Sequence, residues 1–465
     1  MKSDHVSASD IRSAFSAALS AMYREEVPAY GTLMELVARV NDETLTAQPA
    51  LKERLKATDY LNRISEERHG AIRLGTAAEL AIMARVFAVM GMHPVGYYDL
   101  STAGVPVHST AFRPIGDAEL KRNPFRVFTS LLRLDLIADE DLREEAAQIL
   151  LKRRIFTERA IALTEKAERD GGLNMDDASH FVDEVLETFR WHDEANVDAA
   201  MYERLHDAHR LIADVVSFKG PHINHLTPRT LDIDRVQALM PNYGIAPKAI
   251  VEGPPTRACP ILLRQTSFKA LEEPVSFRNA DGVWETGSHT ARFGEIEQRG
   301  IALTPKGRAL YDRLLEQSRK IVRPAADGSN ARDYEAALAR GFAEFPDDWS
   351  SIRAEGLGYF AYSLTAKGEA AGAIGHADLE TLIAEGLIQF DPIVYEDFLP
   401  VSAAGIFQSN LGDTAQQDFV ASPNQKRFEA DLGMKVLNEF DHYAGIEQAS
   451  IDACLRALFQ QDAAE

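Results

Sequence analysis

The stretch RHGAIRL at residues 68–74 and the stretch HINHL at residues 222–226 each begin the same arrangement of segments. Each is short and apolar enough for a buried β-strand, and each carries a histidine. An amphipathic helix and several further strand-like segments follow each of them, and the second series ends in FGEIE at residues 293–297. The pattern predicts a βαβββ unit that occurs twice, which could bring two imidazoles and one carboxylate to one metal ion.

The first copy is the clearer of the two. Apolar side chains recur at helical spacing over residues 80–90, and Gly91 is placed to end that helix. Strand-like runs follow at residues 94–100, 107–113 and 125–134, separated by turn-forming residues. For the second copy we predict a strand, a helix and four further strands, at residues 223–226, 233–239, 249–252, 261–270, 274–278 and 290–298.

Helical segments surround these two units. We predict helices over residues 11–22, over residues 30–40 and from Pro49 onward, with Ser9 as the N-cap of the first and Thr304 as the cap of a later one. The predicted fold class is α+β, with paired βαβββ modules forming a curved central sheet. The predicted segments are N-terminal helices, a first module, a helical insertion, a second module and an α-rich C-terminal region, at residues 1–65, 66–137, 138–216, 217–300 and 301–465.

Composition narrows the class of function. The 465 residues include 50 Lys and Arg against 71 Asp and Glu, and the formal charge of −21 disfavours nucleic acid and anionic membranes as partners. No run of about 18 apolar residues occurs. The N-terminus lacks the apolar stretch of a secretory signal, so we expect a cytoplasmic location. Cys259 and Cys454 are too few for a disulfide framework or a thiolate zinc site, and we predict that both are buried and unpaired.

Three residues of the first predicted strand share a face. Because side chains alternate along a strand, His69, Ala71 and Arg73 point the same way. A metal ligand and a carboxylate-binding guanidinium would then line one pocket, and the small Ala71 between them leaves room for a substrate. The alternative for this pattern is a buried histidine bonded to backbone and an arginine in a structural ion pair.

The second copy offers two histidines and two glutamates. On a strand His222 and His225 face opposite sides, so only one reaches the pocket and we favour His225, whereas on a helix they could chelate together. Glu295 and Glu297 have the same parity, and two buried carboxylates are costly unless one binds a cation or reaches solvent. Spacing does not choose between them, and a solvated acidic edge strand is the alternative. Two histidines and one carboxylate leave adjacent metal positions open, which suits Fe(II) that binds substrate and dioxygen together.

Other chemistry is less well supported. Glu203 and His206 form a Glu-x-x-His step on a predicted helix, with His192 and His209 nearby, but a carboxylate-bridged di-iron bundle needs two such steps on facing helices. No G-x-G-x-x-G, P-loop, nucleophile-elbow or H-E-x-x-H motif occurs, which disfavours dehydrogenases, nucleotide hydrolases, serine esterases and zinc proteases. Other histidines belong to no recognisable pattern and are expected to be structural or exposed, among them His93, His108, His180, His289 and His442.

Six motifs of the chain resemble the 2-oxoadipate dioxygenase/decarboxylase family, also called D-2-hydroxyglutarate synthase. They are RHGAIRLG at residues 68–75, YYDL at 97–100, HSTAFRP at 108–114, NHLTPR at 224–229, RFGEIEQRG at 292–300 and LPVSAAG at 399–405. The resemblance spans nearly the whole chain. That family belongs to the vicinal-oxygen-chelate superfamily, whose paired βαβββ modules agree with the repeat described above.

The resemblance implies a site and a reaction. It implies that His69, His225 and Glu295 hold Fe(II). It also implies that Arg73 binds a carboxylate of the substrate, with Val401 and Ser402 supplying further contacts. The implied reaction converts 2-oxoadipate and O2 into 2-hydroxyglutarate and CO2, a step of lysine degradation in which both oxygen atoms enter the product. The electrons come from the substrate, so no separate 2-oxoglutarate or nicotinamide cofactor is required.

Two other classes of function stay open. A non-oxidative metal-dependent lyase or isomerase of the same fold would bind another divalent metal and consume no oxygen. A metal-free small-acid binding protein would use His69 and Glu295 as ordinary polar residues. Oxygen uptake separates the first class from the dioxygenase, and metal analysis separates the second.

Overall fold

The computed structural model describes residues 5–57, 61–66, 68–279, 281–325, 328–371, 377–398 and 424–459. The chain forms two compact units. The first is drawn from Met1–Glu252, Gln265–Gln298 and Phe398–Val436, and the second from Gly253–Arg264, Arg299–Asp397 and Leu437–Glu465. The predicted C-terminal segment 301–465 thus contributes to both units.

Helices make up much of both units. Their bounds in the described part of the chain are α1 Ala8–Glu26, α2 Pro28–Ala47, α3 Pro49–Ala57, α4 Arg63–Glu66, α5 Ala77–Val89, α6 Asp117–Arg122, α7 Glu140–Lys152, α8 Glu158–Asp170, α9 Met175–Leu186, α10 Ala199–Ala208, α11 Arg210–Ser217, α12 Ile233–Leu239, α13 Pro305–Ile321, α14 Ala331–Gly341, α15 Trp349–Ala354, α16 Ala366–Ala370, α17 Leu379–Ala384, α18 Asn424–Leu432 and α19 Glu439–Phe459. None of these described helices is both long enough and apolar enough to cross a membrane.

Two helix caps test the sequence predictions. Thr304 caps α13 as predicted, because its hydroxyl accepts a hydrogen bond from the amide of Gly307 at 3.1 Å. Ser9 was the wrong choice for α1. The N-cap is Ser7, whose hydroxyl accepts from the amide of Asp10 at 3.1 Å, and the helix begins one residue earlier than Ser9.

The strands form one large sheet and two hairpins. Their bounds are β1 Arg68–Leu74, β2 His93–Asp99, β3 Val107–Arg113, β4 Arg126–Leu132, β5 His225–Pro228, β6 Leu263–Ser267, β7 Glu272–Arg278, β8 Trp284–Thr290, β9 Phe293–Arg299, β10 Phe360–Leu364 and β11 Ile388–Pro392. Seven of them form a curved mixed sheet in the order β2-β3-β4-β1-β5-β9-β6, while β7 pairs with β8 and β10 with β11. The fold is α+β, as predicted.

The two modules meet at the middle of the large sheet. The first consists of β1, α5, β2, β3 and β4, with β4 parallel to β1. In the second, β9 is parallel to β5 and β6 lies beyond it. β1 and β5 pair antiparallel, with Ala71 opposite His225. Next to this junction, each module places its last strand beside its first strand, β4 beside β1 and β9 beside β5.

The second module departs from the predicted strands in two places. Residues 249–252 contribute only a single bridge between Glu252 and Gln265 where a full strand was predicted. The predicted strand at 274–278 lies in β7, which leaves the large sheet and pairs with β8 in a hairpin inserted between β6 and β9. β8 was not predicted because its sequence, WETGSHT, is polar and largely exposed and therefore lacks an apolar alternation.

The two faces of the large sheet carry different neighbours. Ile72 and Leu74 belong to a large apolar core that also includes residues of α1, α2, α5 and α9. Ala71 and Phe128 belong to a second cluster with residues of α7 and α11, which come from the helical insertion. Since side chains alternate along β1, His69 and Arg73 share the face of Ala71. In the same described part of the chain, Cys259 and Cys454 are buried and neither is part of a disulfide, as predicted.

Candidate metal centre

Three side chains converge where the two modules join. His69 lies on β1, His225 begins β5 and Glu295 lies on β9, and β5 pairs with both of the other strands. Glu295 Oε2 is 3.2 Å from His69 Nε2 and 3.6 Å from His225 Nε2. One ligand atom from each residue lies within 4.8 Å of the others, and all three residues are buried. This geometry suits a divalent metal ion held by two imidazoles and one carboxylate.

Glu297 has a different place from Glu295, although both face the same side of β9. Its Oε2 is 2.9 Å from His69 Nδ1, on the far side of the imidazole ring from Glu295. Its Oε1 is 3.3 Å from Nη1 of Arg126, and both of these side chains are fully buried. Glu297 therefore forms an ion pair and contacts the back of a candidate ligand. The structure separates the two glutamates that spacing left unresolved.

Neighbouring polar groups orient the Glu295 carboxylate. The hydroxyl of Thr227 donates to Glu295 Oε2 at 3.1 Å, and Gln265 Nε2 lies 3.5 Å from Oε1. The buried amide oxygen of Gln265 has no hydrogen-bond partner among the described residues. A buried acceptor without a hydrogen bond is costly unless a bound polar molecule donates to it. The free oxygen therefore also suits a site that binds a solvated ion or a small acid.

The electrostatics of the three candidate ligands favour a bound cation. Burial lowers the pKa of His225 to about 3, so its imidazole is neutral and can offer a lone pair. Burial alone would lower the pKa of His69, but Glu297 and Glu295 outweigh it and raise that pKa above its ordinary value. Burial would likewise raise the pKa of Glu295, but the two histidines hold it lower. The two carboxylates thus favour a positive charge at His69, and a divalent ion at Nε2 would supply one.

Aromatic side chains lie beside the candidate ligand His69. In each module the first strand pairs in parallel with the last one. His225 is paired with Phe293, and Glu295 follows two residues later. His69 is paired with Arg126, and Phe128 follows two residues later. The ring of Phe398 lies 5.0 Å from that of Phe128 and 4.8 Å from that of His69. The first module therefore supplies a phenyl ring where the second supplies a ligand, which leaves one three-ligand site.

Arg73 lies on the same face of β1 and forms a buried ion pair. Its Nη1 donates to Asp214 Oδ2 at 2.5 Å. Asn224, with its amide oxygen turned toward the guanidinium, accepts from the same Nη1 at 2.9 Å. The structural ion pair was the alternative to a role in substrate binding, and Arg73 does form such an ion pair. Its contact with a substrate stays a prediction, and the predicted contacts at Val401 and Ser402 lie outside the described residues.

The other histidines divide into those near Arg73 and those elsewhere. His222 does not approach Glu295, and its Nε2 lies 3.4 Å from Asp214 Oδ1. His289, expected to be structural or exposed, is buried with its Nε2 2.9 Å from the same oxygen. The spacing of residues around His289 did not indicate that it is buried in an ion-pair network. Asp214, however, is the one acidic residue within the apolar run LIADVV at residues 211–216. A charge in such a run is a sign of a buried ion pair.

The rival di-iron arrangement finds no support in the described part of the chain. There, His69, His225 and Glu295 form the one group of three His, Cys, Asp or Glu side chains with converging ligand atoms. Glu203 is exposed on α10, and neither it nor His206 belongs to that group. The candidate metal centre is thus confined to the junction of the two modules.

Comparison with known proteins agrees with the motifs. Residues 15–410 match the family model described as 2-oxoadipate dioxygenase/decarboxylase. A Pseudomonas putida protein of that name is 60% identical over 457 residues, which is 98% of each chain. An Escherichia coli protein of the same name is 57% identical over 451 residues, which covers 97% of this chain and 98% of its own.

A solved structure extends the comparison to the fold. The crystal structure of the hydroxyglutarate synthase from Pseudomonas putida in complex with 2-oxoadipate matches with a TM-score of 0.90 and 57% sequence identity. The match covers 98% of this chain and 99% of the other. Sequence and structure agree over nearly the whole length, and the chain belongs to the 2-oxoadipate dioxygenase/decarboxylase family.

Proposed function

We propose that this protein is an Fe(II)-dependent dioxygenase and decarboxylase that converts 2-oxoadipate and O2 into 2-hydroxyglutarate and CO2. The observation that carries the proposal is the convergence of His69, His225 and Glu295 at one buried point. It is supported by 60% identity to a protein named for this reaction and by the relative that was crystallised with 2-oxoadipate.

His69, His225 and Glu295 would hold the metal. When bound, Fe(II) supplies adjacent open positions for a 2-oxo acid and dioxygen, together with the redox chemistry between them. The protein keeps His225 neutral by burial, and Glu297 orients the ring of His69 through its Nδ1. The same three groups also suit other divalent metals, and the oxidative reaction of the family selects Fe(II) among them.

The substrate and product are small dicarboxylic acids. We assign Arg73 to the carboxylate distal to the keto group, where it would select an acid of matching length. The ring of Phe398 contacts those of His69 and Phe128, and the two phenyl rings would limit the access of water to the metal. In the reaction the bond between C1 and C2 breaks and C1 leaves as CO2. One oxygen atom enters the new carboxylate and the other enters the hydroxyl group on the neighbouring carbon.

Two further assignments complete the proposal. The backbone at Val401 and Ser402 would add contacts to the substrate, as the family motif implies. The cytoplasm is the proposed location, which agrees with two buried cysteines that form no disulfide, because cytosolic thiols stay reduced.

The test is oxygen consumption by iron-loaded protein. The protein is loaded with Fe(II) under nitrogen, its iron content is measured, and 2-oxoadipate is added in an oxygen electrode. We expect one CO2 and one 2-hydroxyglutarate for each O2 consumed. His225→Ala should lose both iron and activity, while His93→Ala, a change at an exposed histidine, should keep both. Folded, iron-loaded protein that consumes no oxygen would contradict the proposal, and turnover without oxygen would favour the lyase or isomerase.

A further inference from the structure

Asp214 is a buried carboxylate that meets three nitrogen groups. Its Oδ2 accepts from Arg73 Nη1 at 2.5 Å, and its Oδ1 lies 2.9 Å from His289 Nε2 and 3.4 Å from His222 Nε2. Burial alone would raise the pKa of Asp214, but Arg73 and the two histidines outweigh it and hold that pKa well below its ordinary value. Asp214 is therefore ionised and forms a neutral pair with Arg73.

The hydrogen bonds around Asp214 all end on its carboxylate. The hydroxyl of Tyr202 lies 2.8 Å from His289 Nδ1, and a hydroxyl donates to an unprotonated ring nitrogen. The proton of His289 is then on Nε2, which donates to Asp214 Oδ1. The resulting chain leads from Tyr202 through His289 to Asp214, which accepts from Arg73 at its other oxygen. Aligned bonds of this kind polarise and strengthen one another.

Aromatic rings hold His289 in this orientation. The ring of Trp191 is stacked on it with an interplanar angle of 6° and a centroid distance of 6.2 Å. The ring of Phe218 lies 4.7 Å from it. His289 can therefore leave Asp214 only if its packing is disrupted.

The supporting groups come from inserted segments. Tyr202 and Asp214 lie on α10 and α11 of the helical insertion, and His289 lies on β8 of the hairpin between β6 and β9. Arg73, in contrast, belongs to β1 of the first module. Two insertions thus meet at Asp214, the carboxylate that pairs with Arg73, although neither supplies a candidate metal ligand.

We propose that Asp214 and His289 are positioning residues that fix the guanidinium of Arg73 and so set which length of 2-oxo dicarboxylic acid the site accepts. The inference rests on the proposed function, in which Arg73 receives the distal carboxylate. An arginine side chain is long and flexible, so its guanidinium can discriminate between substrate lengths only when other groups fix its position. Asp214 and Asn224 both bind Nη1, and a displacement of about 1 Å in a positioning group can cost about 100-fold in rate.

The direct test measures substrate binding without turnover. Iron-loaded protein is titrated under nitrogen with 2-oxoadipate and with the homologues that are one carbon shorter and one carbon longer. Asp214→Asn should keep its iron and raise the dissociation constant for 2-oxoadipate by about tenfold or more, because a charge-assisted hydrogen bond is lost. Its preference for 2-oxoadipate over the two homologues should shrink. Tyr202→Phe, which keeps the ring and removes one donor, should shift both quantities in the same direction by about two- to fivefold.

A matched control removes another buried ion pair of the same unit. Glu79 and Arg153 are paired at 2.7 Å, and Glu79 also caps α5. Glu79→Gln should lower the melting temperature and leave both the dissociation constant and the length preference unchanged. If Glu79→Gln weakens substrate binding as strongly as Asp214→Asn, the effect is a general loss of stability and the positioning role is wrong.

A double-mutant cycle separates this inference from the proposed function. If Asp214 acts through Arg73, adding Asp214→Asn to Arg73→Ala should change the dissociation constant by less than about twofold. Additive effects would mean that Asp214 acts independently, which would overturn the inference. Arg73→Ala that weakens binding, beside folded Asp214→Asn and Tyr202→Phe that do not, would overturn the inference alone. Arg73→Ala with unchanged binding would overturn the proposed role of Arg73 as well.

Discussion

Glu295 and Glu297 show how neighbours decide the role of a side chain. They lie two residues apart on one face of β9, yet Glu295 faces the Nε2 atoms of two histidines and Glu297 faces the Nδ1 atom of one. Arg126 compensates the charge of Glu297. A carboxylate bonded to the back of a ligating histidine fixes its tautomer and increases its basicity.

Glu297→Gln should therefore weaken metal binding without removing a ligand. We expect the dissociation constant for the metal to rise by about 10- to 100-fold, since His69 loses its carboxylate partner. The measurement is an anaerobic titration with Fe(II) or Co(II) in competition with a chelator. Glu273→Gln, which removes a carboxylate paired with Arg292, is the control and should bind metal normally. Wild-type affinity in Glu297→Gln would show that the contact with His69 is incidental.

His108 is a buried histidine away from the metal centre, and it should make stability depend on pH. Burial lowers its pKa to about 4, from an ordinary value of about 6.5 in the unfolded chain. The unfolded state therefore takes up this proton first, and the contribution of His108 is complete above about pH 6.5 and is lost as the pH falls toward 4. Between about pH 7 and pH 5 the linked loss is about 2 kcal/mol.

The variant His108→Gln checks this prediction. The free energy of unfolding of wild type and variant is measured at both pH values by denaturant titration. We expect the variant to start less stable, because His108 packs against Phe428 at 4.7 Å, but to lose about 2 kcal/mol less on acidification. An equal loss in both proteins would assign the pH dependence to other groups.

At the scale of elements, the junction of β1 and β5 depends on one glycine. A Cβ at Gly70 would lie 2.6 Å from Ile223 Cδ1 and 3.2 Å from the carbonyl oxygen of His225. Gly70→Ala should therefore push the two ligand-bearing strands apart and destabilise the protein by about 1–3 kcal/mol. Gly31→Ala in α2, where the nearest atom is at 4.0 Å, should instead stabilise it by about 0.5–1 kcal/mol. Thermal unfolding of the two variants should show opposite shifts, and a neutral Gly70→Ala would mean that the strands adjust.

Strand parity was the most reliable guide from the sequence. It places His69 and Arg73 on one face and puts Glu295 and Glu297 on one face, because alternation depends only on local backbone geometry. Pairing partners are not local. The segment EEPVSFR of β7 is equally suited to the large sheet and to a hairpin, and its actual partner, β8, has no apolar pattern.

The site was predictable only in part for the same reason. The motifs named the candidate ligands, but Asp214 and His289 are 75 residues apart and lie on different insertions. The local sequence around each of these two residues does not indicate that their side chains are in contact in the folded protein. Two serines near the start of α1 illustrate the problem on a smaller scale, since Ser7 and Ser9 are both good caps and the helix start decides between them.

The whole sheet explains why a repeated module yields one site. The two first strands lie side by side at the centre, so both histidines come from the same place in their modules. The last strands differ, and Phe128 replaces the carboxylate in the first module. A second carboxylate there would add negative charge to a site that already contains Glu295 and Glu297. Each copy thus supplies one histidine, whereas the last strand supplies a carboxylate in the second copy and an apolar side chain in the first.

Metal binding should consequently stabilise the central strands together. Because the ligands lie on β1, β5 and β9, a metal that binds only the folded state stabilises it by about 2.7 kcal/mol at 100 times its dissociation constant. Hydrogen exchange with and without Fe(II), under nitrogen, should show slower exchange in peptides that cover these three strands. The hairpin β10–β11, which holds none of the ligands, serves as the internal reference. His225→Ala should show no metal-dependent slowing. Equal slowing in His225→Ala would place the metal elsewhere, because that variant lacks the imidazole that β5 contributes.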